Sequence, residues 1–143
     1  MNTKRLLLAI LAGFVFIFAT DFVVHAIWLG PDYKATAALW RPEAEMQGRF
    51  ALMLLAQLLC SIAFIYIWAK TGWRRRTIRD GCVYGFWMGL FQQITTIVLY
   101  VVAPMPMELA AKWFLSGILQ AILLGALAAL IYKPLPSLAD RRN

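Results

Sequence analysis

Residues 6–29 read LLLAILAGFVFIFATDFVVHAIWL, an apolar run broken by only two ionisable side chains, Asp21 and His25. At about 1.5 Å rise per residue, such a run is long enough to cross the roughly 30 Å hydrocarbon core of a bilayer as one α-helix. Working outward from it, three further runs of the same kind follow at residues 50–69, 82–103 and 113–132, with turn-rich or charged stretches between them. A chain of 143 residues that is 62% hydrophobic and 15% charged has too little polar surface to dissolve as a compact globule, and its charges are bunched between the runs. The expected fold is therefore all-α: one transmembrane domain over residues 1–143, a polytopic four-helix bundle with lipid as its solvent. Lys4 and Arg5 precede the first run as they would in a secretory signal, but the run is too long and lacks a small-x-small cleavage site. It reads as a retained first helix.

The basic residues set an expected orientation, because short cytoplasmic loops keep the positive charge that is hard to translocate. Lys4, Arg5, Lys70, Arg74, Arg75, Arg76, Arg79, Lys133, Arg141 and Arg142 fall on one side; Lys34, Arg41, Arg49 and Lys112 fall on the other, beside Asp32, Glu43, Glu45 and Glu108. Both termini and the middle loop are expected inside. The net charge of +7 is explained by these juxtamembrane residues and by attraction to anionic lipid head groups, so nucleic acid is not an expected partner. Cys60 lies within the second run and Cys82 at the start of the third, where no oxidising compartment would pair them; neither a disulfide nor a cysteine metal motif is expected.

The second half of the chain echoes the first. Gly13 precedes Asp21 by the same interval as Gly85 precedes Gln93, and Glu45, Arg49 and Gln57 recur at the spacing of Glu108, Lys112 and Gln120. Two repeated hairpins, related by a pseudo-twofold axis along the membrane normal, would produce that pattern; chance alignment of a few polar positions in apolar sequence would also produce it.

Polar side chains in hydrocarbon are costly without partners, so they mark helix packing or a functional path. Counted from the outer end of each run, Asp21, Gln57, Gln93 and Gln120 all lie about 10 to 15 Å deep. They are expected to form one layer in the bundle interior. His25, the only histidine, follows Asp21 by four residues, which puts the two on one helical face within hydrogen-bonding reach. Such a pair serves equally as a packing device, a proton or ion relay, or a contact for a polar ligand head group. One His and one Asp are too few for a closed metal site, and bis-His haem ligation within one chain is impossible. No cofactor is expected.

Gly85 and Gly89 form a G-x-x-x-G step in the third run, and Gly117, Ala121 and Gly125 repeat at four-residue spacing in the fourth, so both present small-residue stripes for close helix contact. Spacing leaves open whether the stripes meet within the chain or across a partner. The longest loop, residues 30–49, carries Tyr33, Leu39 and Trp40, which suit a short interfacial helix lying as a cap. Pro42 and Pro106 each suit a helix start, with Glu45–Arg49 and Glu108–Lys112 behind them as i,i+4 pairs. These four charges are candidates for an extracytoplasmic mouth above the polar layer. Trp28, Trp68, Trp73 and Trp113 fall near run ends, as an aromatic belt requires, and Ser61, Ser116, Thr95 and Thr96 read as helix-packing hydroxyls.

The stretch ATAALWRPEAEM at residues 35–46, with Asp21 and His25 upstream, resembles an uncharacterised family of small bacterial four-helix inner-membrane proteins. The resemblance covers most of the chain and implies a bacterial inner-membrane location, with the Asp21 and His25 pair as a family feature; it brings no activity with it.

Three functions fit these features. The first expectation is a non-enzymatic accessory or scaffold subunit of a larger membrane complex, given the small size, the absence of a soluble domain and the small-residue faces. The second is a dimeric transporter or channel protomer with Asp21 and His25 in a polar cavity. The third is a membrane enzyme acting on a lipid or quinone-like substrate. No nucleophile with an adjacent base and no phosphate loop is visible, so no catalytic residue is assigned.

Overall fold

The computed structural model describes residues 2–70 and 77–132. Helix α1 spans Thr3–Asp21 and continues without a break into a π-helical segment, Phe22–Trp28. The short helix α2 (Gly30–Ala35), a 3-10 turn (Ala37–Leu39) and the short helix α3 (Glu43–Gly48) then lead into α4 (Phe50–Lys70), α5 (Ile78–Val102) and α6 (Met107–Ile131). The four long helices, α1 with its π extension and α4 to α6, are each long and apolar enough to cross a membrane, with mean hydropathies of 2.5, 2.3, 1.4 and 2.3 in chain order. The fold is that of a multi-pass membrane protein. Its outer surface is a belt of exposed Leu, Ile, Val and Phe, reaching 74% exposure at Phe91 and 77% at Val101, which only a lipid solvent makes inexpensive.

Two helices begin earlier than the hydrophobic runs. Thr77 caps α5 with a reciprocal capping box, in which Asp80 accepts from the Thr77 backbone N–H while the Thr77 hydroxyl accepts from that of Asp80. Pro106 stands immediately before α6, so that helix starts six residues ahead of Trp113, and Glu108 sits in its first turn. Hydropathy marks where a helix enters lipid; caps mark where it starts.

α5 packs along α6, α1 packs along α4 and α6, and α3 touches α4. The small-residue stripes meet inside the chain: a Cβ on Gly85 would stand 2.8 Å from the Ile122 Cα, and one on Gly89 would stand 2.8 Å from the Ala121 Cβ. α4 and α5 approach each other mainly through side chains, where the Tyr84 hydroxyl donates to the Phe64 carbonyl at 2.6 Å and its ring packs on Phe64 and Trp68. Trp68 is therefore fully buried core, not an interfacial anchor, and Trp113 also leaves the expected belt for the bundle interior described below. Trp28 is exposed at its span end as expected; Trp73, with Arg74, Arg75, Arg76, Lys133, Arg141 and Arg142 of the orientation argument, lies outside the described residues.

Candidate functional site

In the half of the bundle nearer α2 and α3, the polar side chains of all four long helices line one cavity of about 370 Å³. That volume is within the range of small-molecule sites. Asp21 and His25 contribute from the first span, Gln57 and Cys60 from α4, Gln92, Gln93 and Thr96 from α5, and Trp113, Ser116 and Gln120 from α6. The expected layer of Asp21, Gln57, Gln93 and Gln120 is thus brought together. α5, which supplies three of these polar linings, is also the least hydropathic span.

Asp21 is the hub. Its Oδ2 accepts from Gln57 Nε2 at 2.6 Å and its Oδ1 from Gln120 Nε2 at 2.7 Å, so one carboxylate ties α1 to α4 and to α6. Gln120 Nε2 also donates to Thr20 Oγ1 at 2.6 Å, while the Thr20 hydroxyl donates back to the Phe16 carbonyl of its own helix. Gln93 stands apart from this hub: its Oε1 accepts from Thr96 Oγ1 at 2.6 Å, and its amide lies over Gly117, where a Cβ would collide with it. Gln57 is 7% exposed, and its Oε1 has no hydrogen-bond partner among the described residues.

His25 does not bond to Asp21. The π-helical turn of 22–28, closed by the Leu29 N–H donating five residues back to Val24, carries His25 toward the segment that follows. There its Nδ1 meets the Tyr33 hydroxyl at 2.5 Å, and the two rings stack. Trp113 Nε1 donates to the same hydroxyl at 2.8 Å. With its oxygen occupied as an acceptor, the Tyr33 O–H is free to donate to His25 Nδ1, which places the imidazole proton on Nε2. Trp40 packs edge-on against Tyr33 and anchors itself by donating to Thr36 Oγ1 at 2.9 Å. Burial pushes the Tyr33 phenol up to about 12, against the Trp113 hydrogen bond, with the Asp32 and Asp21 charges adding to the rise.

α2 is fastened over this aromatic cluster. Lys112 Nζ reaches both Asp32 oxygens at 3.0 and 3.1 Å and Glu108 Oε1 at 2.8 Å, and Leu29 is fully buried with Met105 and Leu109 beneath. The four candidate mouth residues divide accordingly. Glu108 and Lys112 belong to this fastening; Glu45 and Arg49 form their own exposed pair at 3.3 Å on α3, joined by Arg41, and none of the four lines the cavity. Lys112 is shared between two acids and does not reach Asp21.

Sequence reasoning found the hub and missed the lid. Tyr33 and Trp40 were readable as interfacial anchors, and Trp113 as a belt residue, but nothing in their spacing announced that all three converge on His25. No group of three or more His, Cys, Asp and Glu side chains capable of holding a metal ion occurs among the described residues. Comparison with protein families, curated proteins and solved structures finds no match.

Proposed function

We propose that this protein binds a small solute inside the bacterial inner membrane, as the protomer of a transporter, with Asp21 as the recognising group. The observation that carries the reading is the company Asp21 keeps. Two neutral amides hold it in place, and no Lys or Arg of the described residues reaches it. A carboxylate in low dielectric is expensive unless its charge is met by a cation. The amides fix its geometry and leave its charge, so a cationic or strongly donating solute completes the site. Around the cavity mouth the balance has the same sign, with Asp32 and Glu108 sharing one Lys112. The positive-inside pattern places this end of the bundle on the extracytoplasmic side, with both termini in the cytoplasm.

Native mass spectrometry of the protein extracted gently from its own membrane tests this. A small molecule or ion should accompany the native chain and be lost from Asp21→Asn; identical spectra for the two chains would sink the proposal. A second reading, an accessory subunit of a larger complex, keeps the small size and the lack of a soluble domain in its favour. The small-residue stripes no longer argue for it, since they are used between α5 and α6. A stoichiometric heterologous chain in the same spectra would favour it.

A further inference from the structure

We infer that the cavity takes an amphiphilic amine, one that reaches it sideways from the bilayer through the seam between α4 and α5, with the ammonium on Asp21 and the apolar part left toward the lipid. The inference rests on the proposed function in taking Asp21 as the recognising group.

The route follows from which seams are closed. α5 is zipped to α6 by glycine contacts, and α1 is packed against α4 and α6. The end of the bundle beside α2 is covered by the His25, Tyr33, Trp40 and Trp113 cluster and fastened by the Lys112 ion pairs. α4 and α5 are joined near the other end, where Tyr84 bonds to Phe64 and packs on Trp68, and they are not closely packed elsewhere. The cavity lies on the far side of that joint. On its two banks the lining residues Ala56 and Gln92 are exposed. Ala56 is six residues from the start of α4 and Gln92 ten residues from the end of α5, so at about 1.5 Å per residue the opening is roughly 9 to 15 Å below the span ends. That depth is hydrocarbon, so what arrives there is already dissolved in lipid.

The head group follows from the charges. His25 is the other ionisable group on the first span, and it is engaged by Tyr33; α4 brings only Cys60, and α5 and α6 line the cavity with amides, hydroxyls and apolar groups. The Trp113 ring stands among the lining residues, where its face suits an ammonium. Gln57, which also lines the cavity, has an acceptor oxygen without a donor, so a ligand bearing several N–H groups meets a site with acceptors to spare.

The test is binding to the full chain in nanodiscs, with empty nanodiscs subtracted, using four probes: dodecylammonium, dodecanol, dodecanoate and ethylammonium. Dodecylammonium should bind saturably and at least tenfold more tightly than each of the others, and Asp21→Asn should remove that preference. Equal binding of dodecanol or dodecanoate would overturn the assignment of a cationic head. Asp21-dependent binding of ethylammonium as tight as that of dodecylammonium would overturn the lipid route and leave the proposed function standing, whereas no Asp21-dependent binding of any probe would remove both. The probe series is read on the native chain, so the outcome stands even where Asp21→Asn fails to fold. Ala56→Trp, at the seam and outside the polar hub, should slow the arrival of dodecylammonium at least tenfold; an unchanged on-rate would overturn the route.

Discussion

Between α5 and α6 the backbones themselves meet, with Gly81, Gly85 and Gly89 laid against Ala121 and Gly125. Between α1 and α4 the contact is made by polar side chains instead: Ser61 Oγ donates to the Ile10 carbonyl at 2.7 Å, and Gln57 donates to Asp21. Gly13, at the position that echoes Gly85, leaves room for the Ser61 hydroxyl rather than for a facing helix. Lipid tails are as apolar as leucine, so helices gain little from hydrophobicity by meeting inside a bilayer; close packing and hydrogen bonds hold them. One hairpin relies on the first of these and the other on the second. The hydrogen-bonded hairpin owns the carboxylate, which suggests why the cavity forms where it does: polar contacts leave gaps that glycine zippers close.

The comparison breaks most severely at the zipper. Gly85→Leu places a side chain against the backbone of Ala121 and Ile122, which cannot yield, and should cost at least about 3 kcal/mol, read as a collapse of the thermal unfolding midpoint in detergent. Next comes the hub. Asp21→Ala leaves the Gln57 and Gln120 amides without their acceptor and should cost about 1 to 3 kcal/mol, whereas Gln93→Ala, outside the hub, should cost less than half of that in the same assay.

A double-mutant cycle sharpens the contrast. Gly13→Ala collides with the Ser61 hydroxyl, which a new Cβ would approach to 2.6 Å, so Ser61→Ala should relieve it, with a coupling of about 0.5 to 2 kcal/mol; additive effects would show that the two do not share the contact. The lid that joins the hairpins should respond to base. Because the Tyr33 phenol is raised from 10.0 to about 12 in the folded chain, its contribution to stability is fully present below pH 10 and is lost as pH rises toward about 12. Unfolding midpoints across that interval should fall for the native chain and fall less for Tyr33→Phe. The smallest effect belongs to the exposed Glu45–Arg49 pair, where Glu45→Gln should change stability by less than about 0.5 kcal/mol.

Much of this was legible in the sequence. Length and hydropathy delimit four spans, and counting residues inward from their ends puts Asp21, Gln57, Gln93 and Gln120 at one depth, where the cavity lies. What could not be counted was choice of partner. By the echo between the halves, Gln120 belongs with Gln93, just as Gln57 belongs with Asp21. A carboxylate has two oxygens and the stronger pull, and it takes both amides, leaving Gln93 to Thr96. The internal likeness is therefore visible in spacing and broken in bonding. His25 was assigned to Asp21 on α-helical geometry, and the π turn sent it to Tyr33; local backbone departures of this kind leave no mark in hydropathy.

That π turn also makes the chain unforgiving of changes in length. Within an α-helix each residue advances the azimuth by about 100°. If a single codon were lost between residues 22 and 28 and the turn relaxed to ordinary α-helical winding, everything after it would rotate about the axis relative to Asp21. The Tyr33 hydroxyl would then swing away from Trp113 while the hub stayed where it is. Substitutions in this stretch, most of whose side chains are exposed, would be tolerated far better than a deletion, so sequence drift here should preserve residue count before residue identity.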